Sequence, residues 1–283
     1  MSFKQRQINL QFSGNGETLS LEGLRCAAMI MNPGGFNGFG SLELRVYGMT
    51  LAQMNQYSST GSNQVATLKQ SVTVSAGNVG ETIAQVFQGT LLRSYIDFSA
   101  VPDSCFVCAA QTGLFDKTMA AAPLSLKGAQ NAEDIIKSLA ARIGFTFVNK
   151  NSAHAVVQNQ YASGSIVDQI QTVARAAALP VCFENNSVII WPNNGVRDGV
   201  VIDVSPQTGM VGYPSYWEAG FVVKTEFNPL IANGRTVKLT SSIPKSNGSW
   251  PTQNVLHELS TQASDGPWFT TARLSPANYV PRN

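Results

Sequence analysis

Charge is scarce in this chain: Asp, Glu, Lys and Arg make up 13% of its 283 residues, and the net charge is +2. A protein that grips nucleic acid by its phosphates needs clustered Lys and Arg, and no such cluster occurs. Histidine is limited to His154 and His257, and cysteine to Cys26, Cys105, Cys108 and Cys182. No run approaches the ~18 apolar residues of a membrane helix. Lys4 and Arg6 are followed by no apolar stretch of signal-peptide kind. These absences imply a chain made and kept, at first, in a cytoplasm, with reduced thiols. Ser, Thr, Asn, Gln and Gly take the place of charge, a composition suited to surfaces buried in an assembly. Hydrophobic residues reach 43%, enough for true cores, and the length corresponds to two or three domains.

What is present is alternation. Ile8, Leu10 and Phe12 alternate with polar residues, as do Leu24, Cys26, Ala28 and Ile30, and then Leu42, Leu44 and Val46. Period-two runs broken by "NPGGFNGFG" and "YSSTGSN" predict a β-barrel or sandwich over residues 1–120. Thr50–Ser58 fits a short helix, and "GETIAQVFQGTLLRSYIDF" fits helix or strand.

After Pro123 the period changes. Asn131 as N-cap, Asp134 three positions on, a stripe of Ile135, Ile136, Leu139, Ala140 and Ile143, and then Gly144 predict a helix. The pattern recurs 34 residues later with Ser165, Asp168, Ile170, Val173, Ala174 and Ala177 before Pro180. Each helix runs into a strand, the second turning back at Asn185-Asn186. Residues 121–195 therefore form a small α/β unit of two helix–strand repeats. Alternation resumes over 196–274, where Phe221, Val223, Thr225 and Phe227 oppose Val222, Lys224 and Glu226. A second β-barrel is expected there, followed by an extended or disordered tail, 275–283. The fold class is thus mainly β with an α/β insertion.

Sites for chemistry are few. Cys105 and Cys108 have CxxC spacing, but no second pair completes a zinc site, and on a strand they face opposite sides; they are expected as core residues. His257 keeps step with Val255 and Leu259 on a strand, and His154 lies in a Ser/Asn loop. No nucleophile-elbow motif accompanies either histidine. The carboxylates are dispersed, with Asp134 and Asp168 occupied at helix starts. "NPGGFNGFGS" has the wrong glycine order, and a strand rather than a helix after it, for a phosphate loop. Trp191, Trp217, Trp250 and Trp268 fit core or rim packing better than a sugar platform. No catalytic, cofactor-binding or metal-ligating residue is assigned, and no enzyme activity is expected. The rival readings are a tail-associated cell-wall hydrolase and a carbohydrate-binding module.

The blocks "SLELRVYGMTLAQMN", "DIIKSLAARIGFTF", "SIVDQIQTVARAAALPVCFENNSVIIWP" and "VGYPSYWEAGFVVKTEFNP", with "SSIP" and "GPWFT" further on, occur in a telling order. Together the chain resembles the baseplate hub proteins of contractile-tailed bacteriophages. The resemblance implies a homotrimer of subunits with two tail-tube-like β-barrel domains each. It implies a symmetry adaptor between a hexameric tail tube, or tube adaptor, and a trimeric central spike, in contact with other baseplate subunits. It also implies a virion location and a lumen through which the genome passes without sequence-specific binding. Such lumens are expected to carry negative charge. The hub of a related contractile injection device is the other member of this class. Barrel loops make axial contacts in such rings, which singles out Pro33, Gly34, Gly35 and Phe36, and the turn Asn228, Pro229, Leu230 and Ile231.

Overall fold

A computed structural model describes residues 4–14, 16–34, 38–59 and 69–276. The first third holds β1 (Arg6–Gly14), β2 (Glu17–Leu21), β3 (Cys26–Pro33), β4 (Gly38–Phe39), β5 (Ser41–Tyr47), α1 (Leu51–Tyr57), β6 (Ser71–Asn78), β7 (Ala84–Asp97), β8 (Cys105–Gln111) and α2 (Leu114–Thr118). The middle holds β9 (Leu124–Ser125), β10 (Ala129–Asn131), α3 (Ala132–Arg142), β11 (Thr146–Asn149), β12 (Val156–Gln158), β13 (Tyr161–Ala162), α4 (Ile166–Ala176), β14 (Val181–Glu184) and β15 (Ser187–Ile190). The last part holds β16 (Val201–Val204), β17 (Ser215–Trp217), β18 (Gly220–Glu226), β19 (Thr236–Leu239), β20 (Gly248–Thr261) and β21 (Trp268–Leu274). The architecture is mainly β with an α/β unit inserted, as the periodicities imply.

The two β parts share one sheet. Its path runs β17-β18-β21-β20-β3-β5-β8-β7-β6-β1-β2, with β19 and β16 branching from β20. The bond between the halves is β20 against β3, antiparallel from Asn254↔Pro33 to Thr261↔Cys26. Val255, His257 and Leu259 lie on one face of β20 and oppose Asn32, Ile30 and Ala28. The cores of both halves are therefore on the same face of the shared sheet. Ile8, Leu10, Phe12, Ile30, Leu42, Leu44, Val46 and Phe106 fill the first core. Ile202, Val204, Val223, Val237, Leu239, Val255 and Ala272 fill the other. The alternation in sequence supplies these inward rows directly.

The segment 84–97 is strand β7. It is flanked by β6 and β8, with bulges between Val74 and Ser75 and between Leu91 and Arg93. Neighbours on both sides, offering a complete ladder, decide against helix where local preference is balanced. Thr50 caps α1 with a reciprocal bond pair to Gln53.

The α/β unit is built around α3 and α4. Ser165 accepts from the Asp168 amide while the Asp168 carboxylate accepts from the Ser165 amide, a complete capping box. At α3, Asn131 makes no such bond; its amide donates to the Asp134 carboxylate at 3.2 Å. Ile136, Leu139 and Ala140 of α3 and Ile170, Val173 and Ala174 of α4 share a core with Val181, Phe183 and Val188. Ile143 and Ala177, at the ends of the stripes, are only partly buried. β11 runs parallel to β15, and β15 antiparallel to β14 through the expected turn, with Asn185 and Asn186 at φ 47° and 60°.

One strand in this sheet belongs elsewhere in the chain. β4 lies parallel to β14, with Gly38 opposite Cys182 and Phe39 opposite Phe183. The ring of Phe39 stacks on Phe183 at 4.9 Å. The segment read as a loop therefore ends in a strand that enters the core of the α/β unit, because an apolar ring flanked by glycines can reach a sheet edge closely. Gly35 and Phe36 lie outside the described residues.

Candidate functional site

The residues singled out for chemistry are dispersed through the fold. Cys105 and Cys108 are both buried on β8, opposite Tyr47 and Leu44 of β5. Burial pushes the Cys108 thiol well up, and the Cys26 thiol up to about 12. His257 is 3% exposed and shares a hydrogen bond of 2.9 Å between Nδ1 and the Thr270 hydroxyl. Burial pushes its pKa down to about 4. His154 pairs with Glu133 near the start of α3. Most carboxylates on the sheets have cationic partners: Asp97 with Arg45 at 3.6 Å, Glu258 with Lys224 at 3.6 Å, and Asp203 with Lys238 at 3.8 Å. Trp191 and Trp268 are buried, and the indoles of Trp217 and Trp250 donate to the carbonyls of Leu274 and Ser246. Among the described residues no helix is long and apolar enough to span a membrane.

The two loops chosen as assembly candidates meet each other. Asn233, just past the turn Asn228–Ile231, donates from Nδ2 to the carbonyls of Asn32 and Pro33 at 3.0 and 2.9 Å. Pro33 closes β3 beside β20, and a Cβ at Gly34 would run into the carbonyl oxygen of Gln253. In the turn, the Asn228 side chain accepts from the Leu230 amide, and the Asn228 amide donates to the Thr270 hydroxyl. Pro229 and Ile231 line a small cavity of about 70 Å³ together with Asn32, Glu184 and His257. Ile231 is buried in the C-terminal core, whereas Leu230 is 55% exposed.

All three parts of the chain converge at this place. Arg197 lies 2.8 Å from Glu184 at the end of β14, and both side chains are largely shielded. The Arg197 amide donates to Gly234, and its guanidinium to Asn233. The pattern of alternation could not reveal this junction, since a polar residue in a loop carries no mark of the partner it will bury.

The face of the shared sheet opposite the cores is uncovered. Across its strands the register aligns Glu226, Phe269, Glu258, Met29, Glu43, Ala109 and Arg93. Met29 and Met31 are each about two-fifths exposed there. Charges of both signs alternate with apolar side chains, so the face is neither an apolar patch nor a field of one sign.

Two strand-built halves on one sheet, bracketing an α/β unit, define a phage-tail type of fold. A tail protein from Neisseria meningitidis MC58 has it, with TM-score 0.65 and 10% identity over 97% of this chain and 99% of that one. The 43 kDa tail protein of prophage MuSo2 from Shewanella oneidensis aligns at TM-score 0.61 and 10% identity, over 96% and 98%. An E. coli component of the type VI secretion system, described as similar to T4 bacteriophage tail proteins gp27 and gp5, aligns at 0.61 and 11% identity, over 96% and 79%. At such identities the likeness is one of fold. No curated protein matches the sequence.

The family itself is given by a sequence model. The model described as baseplate hub gp41 matches residues 39–273. The chain belongs to the baseplate hub gp41 family, a family of structural phage tail proteins.

Proposed function

We propose that the chain is a homotrimeric symmetry adaptor of the baseplate, joining a hexameric tail tube to a trimeric central spike and forming part of the genome's path. The observation that carries this reading is the pair of strand-built cores on one face of one continuous sheet. Three copies then present six such modules, which suits a six-fold neighbour on one side and a three-fold neighbour on the other. The modules correspond to residues 1–120 and 196–274, with 121–195 as a peripheral α/β unit and 275–283 as a tail.

The uncovered face of the sheet is the wall offered to the passing genome. Its ion pairs Arg45–Asp97 and Lys224–Glu258 leave it close to neutral, so a polyanion meets no dense positive field to hold it. Pro33, Gly34 and the exposed Leu230 stand beside the three-part junction and are the contact points proposed for axial neighbours. The same geometry serves a contractile injection device, a reading favoured by the fold shared with the secretion-system component.

Mass measurement by light scattering, followed by electron microscopy of the purified chain, tests the proposal. A three-fold ring with pseudo-six-fold inner modules is expected. A stable monomer that degrades cell wall in zymography would overturn it in favour of a hydrolase.

A further inference from the structure

The shared sheet does not close on itself. Its path ends at β17 on one side and at β2 on the other, and among the described residues each end strand is paired along one edge only. A free edge is a template for another strand unless something guards it, commonly an inward lysine or a proline. Neither β17, Ser215-Tyr216-Trp217, nor β2, Glu17-Thr18-Leu19-Ser20-Leu21, contains either residue.

The two edges complement each other face by face. On the core face of β17, Tyr216 packs 5.1 Å from Phe221 yet remains 65% exposed. On the core face of β2, Leu19 and Leu21 lie opposite Phe12 and Leu10 and are only half-buried. On the outer face of β17, Arg273 stacks over Trp217 at 5.6 Å. The ion pairs among the described residues include none for Arg273, and none for Glu17 or Glu22, which bracket β2. Pairing β17 with a second β17 would set Arg273 against Arg273. Pairing β2 with a second β2 would set Glu17 and Glu22 against themselves. Only the unlike pairing places aromatic against aliphatic and cation against carboxylate. Glu218, which follows β17, restricts the register to one that holds it clear of Glu17 and Glu22.

We propose that β17 of one copy pairs with β2 of a second copy, so that the sheet continues across the subunit boundary with its core and outer faces in step. Tyr213, 73% exposed beside the same edge, widens the contact. Such a contact is heterologous, and a closed ring follows when each copy offers both edges. This inference rests on the self-association proposed above and specifies its seam.

Cross-linking of the full-length chain decides the matter. Cys26, Cys105, Cys108 and Cys182 are all buried, so S20C and S215C introduce accessible thiols on exposed positions of the two edges. A short bis-maleimide should link the S20C/S215C double variant into covalent dimers and trimers. A mixture of the two single variants should give dimers, and either single variant alone none. Y213S/Y216S should raise the concentration needed for assembly about tenfold or more, as loss of central aromatic contacts does. A light-scattering trimer whose double variant gives no covalent ladder overturns the seam and leaves the trimer standing. Ladders from a single variant alone overturn the head-to-tail arrangement. A monomeric mass overturns the trimer and the seam together.

Discussion

Arg197 and Glu184 lie 2.8 Å apart in a largely shielded place, and the pair ties the α/β unit to the C-terminal β half. Removing one partner of such a pair leaves the other charge buried without compensation, which costs far more than the pair contributes net. R197A is expected to destabilise the chain by about 3–5 kcal/mol, while R197M/E184L costs clearly less. Denaturant unfolding of both variants, with the single variant as the more sensitive, checks this.

Phe39 is the anchor by which the first third enters the α/β core. It is 8% exposed and stacks on Phe183. F39A removes that ring and leaves a cavity, with an expected loss of about 3–5 kcal/mol. The loss should be local: amide exchange in β14 and β15 should accelerate more than in β5 and β8. Uniform acceleration across the shared sheet would contradict this assignment.

Gly234 has φ 77°, and a Cβ there would lie 2.8 Å from Cβ of Arg197 and 2.9 Å from the Trp191 ring. Left-handed backbone and a crowded neighbour act together. G234A should cost about 2–4 kcal/mol, whereas G16A, also at positive φ but with open space around it, should cost only the backbone part. Comparing the two melting curves separates crowding from conformation.

His257 makes stability pH-dependent in a defined direction. Burial lowers its pKa from 6.5 to about 4 in the fold. The unfolded chain takes up this proton as pH falls through 6.5, and the folded chain only near 4. The unfolded state thus binds more protons in that window, and stability falls with pH. The contribution is complete above pH 6.5, and up to about 3 kcal/mol is lost by pH 4. H257Q should flatten this part of the stability profile, and the His257 ring resonance should show no titration until pH approaches 4.

How far these features could be read in advance depended on how local their causes are. The capping box at Ser165 and Asp168, the Asn185-Asn186 turn and the inward rows Ile8–Leu10–Phe12 and Val237–Leu239 each arise within a few residues, and each is visible as a pattern. The assembly loops were located at a real junction, but their roles within the chain were not legible. Ile231 is core and Asn233, one turn further on, makes the cross-link to Asn32 and Pro33. No spacing rule marks an asparagine that will reach across some 200 positions.

The sequence by itself determined that strands of period two would surround a helical insert, because side-chain direction on a strand or helix follows from backbone geometry alone. It also determined the absence of any compact catalytic set. Only the tertiary structure decided that β20 pairs with β3 to merge both halves into one sheet, that β4 crosses to β14, and that β2 and β17 are left as free edges. Those outcomes depend on which distant segments compete for the same backbone hydrogen bonds, and that competition is settled by the whole chain's packing.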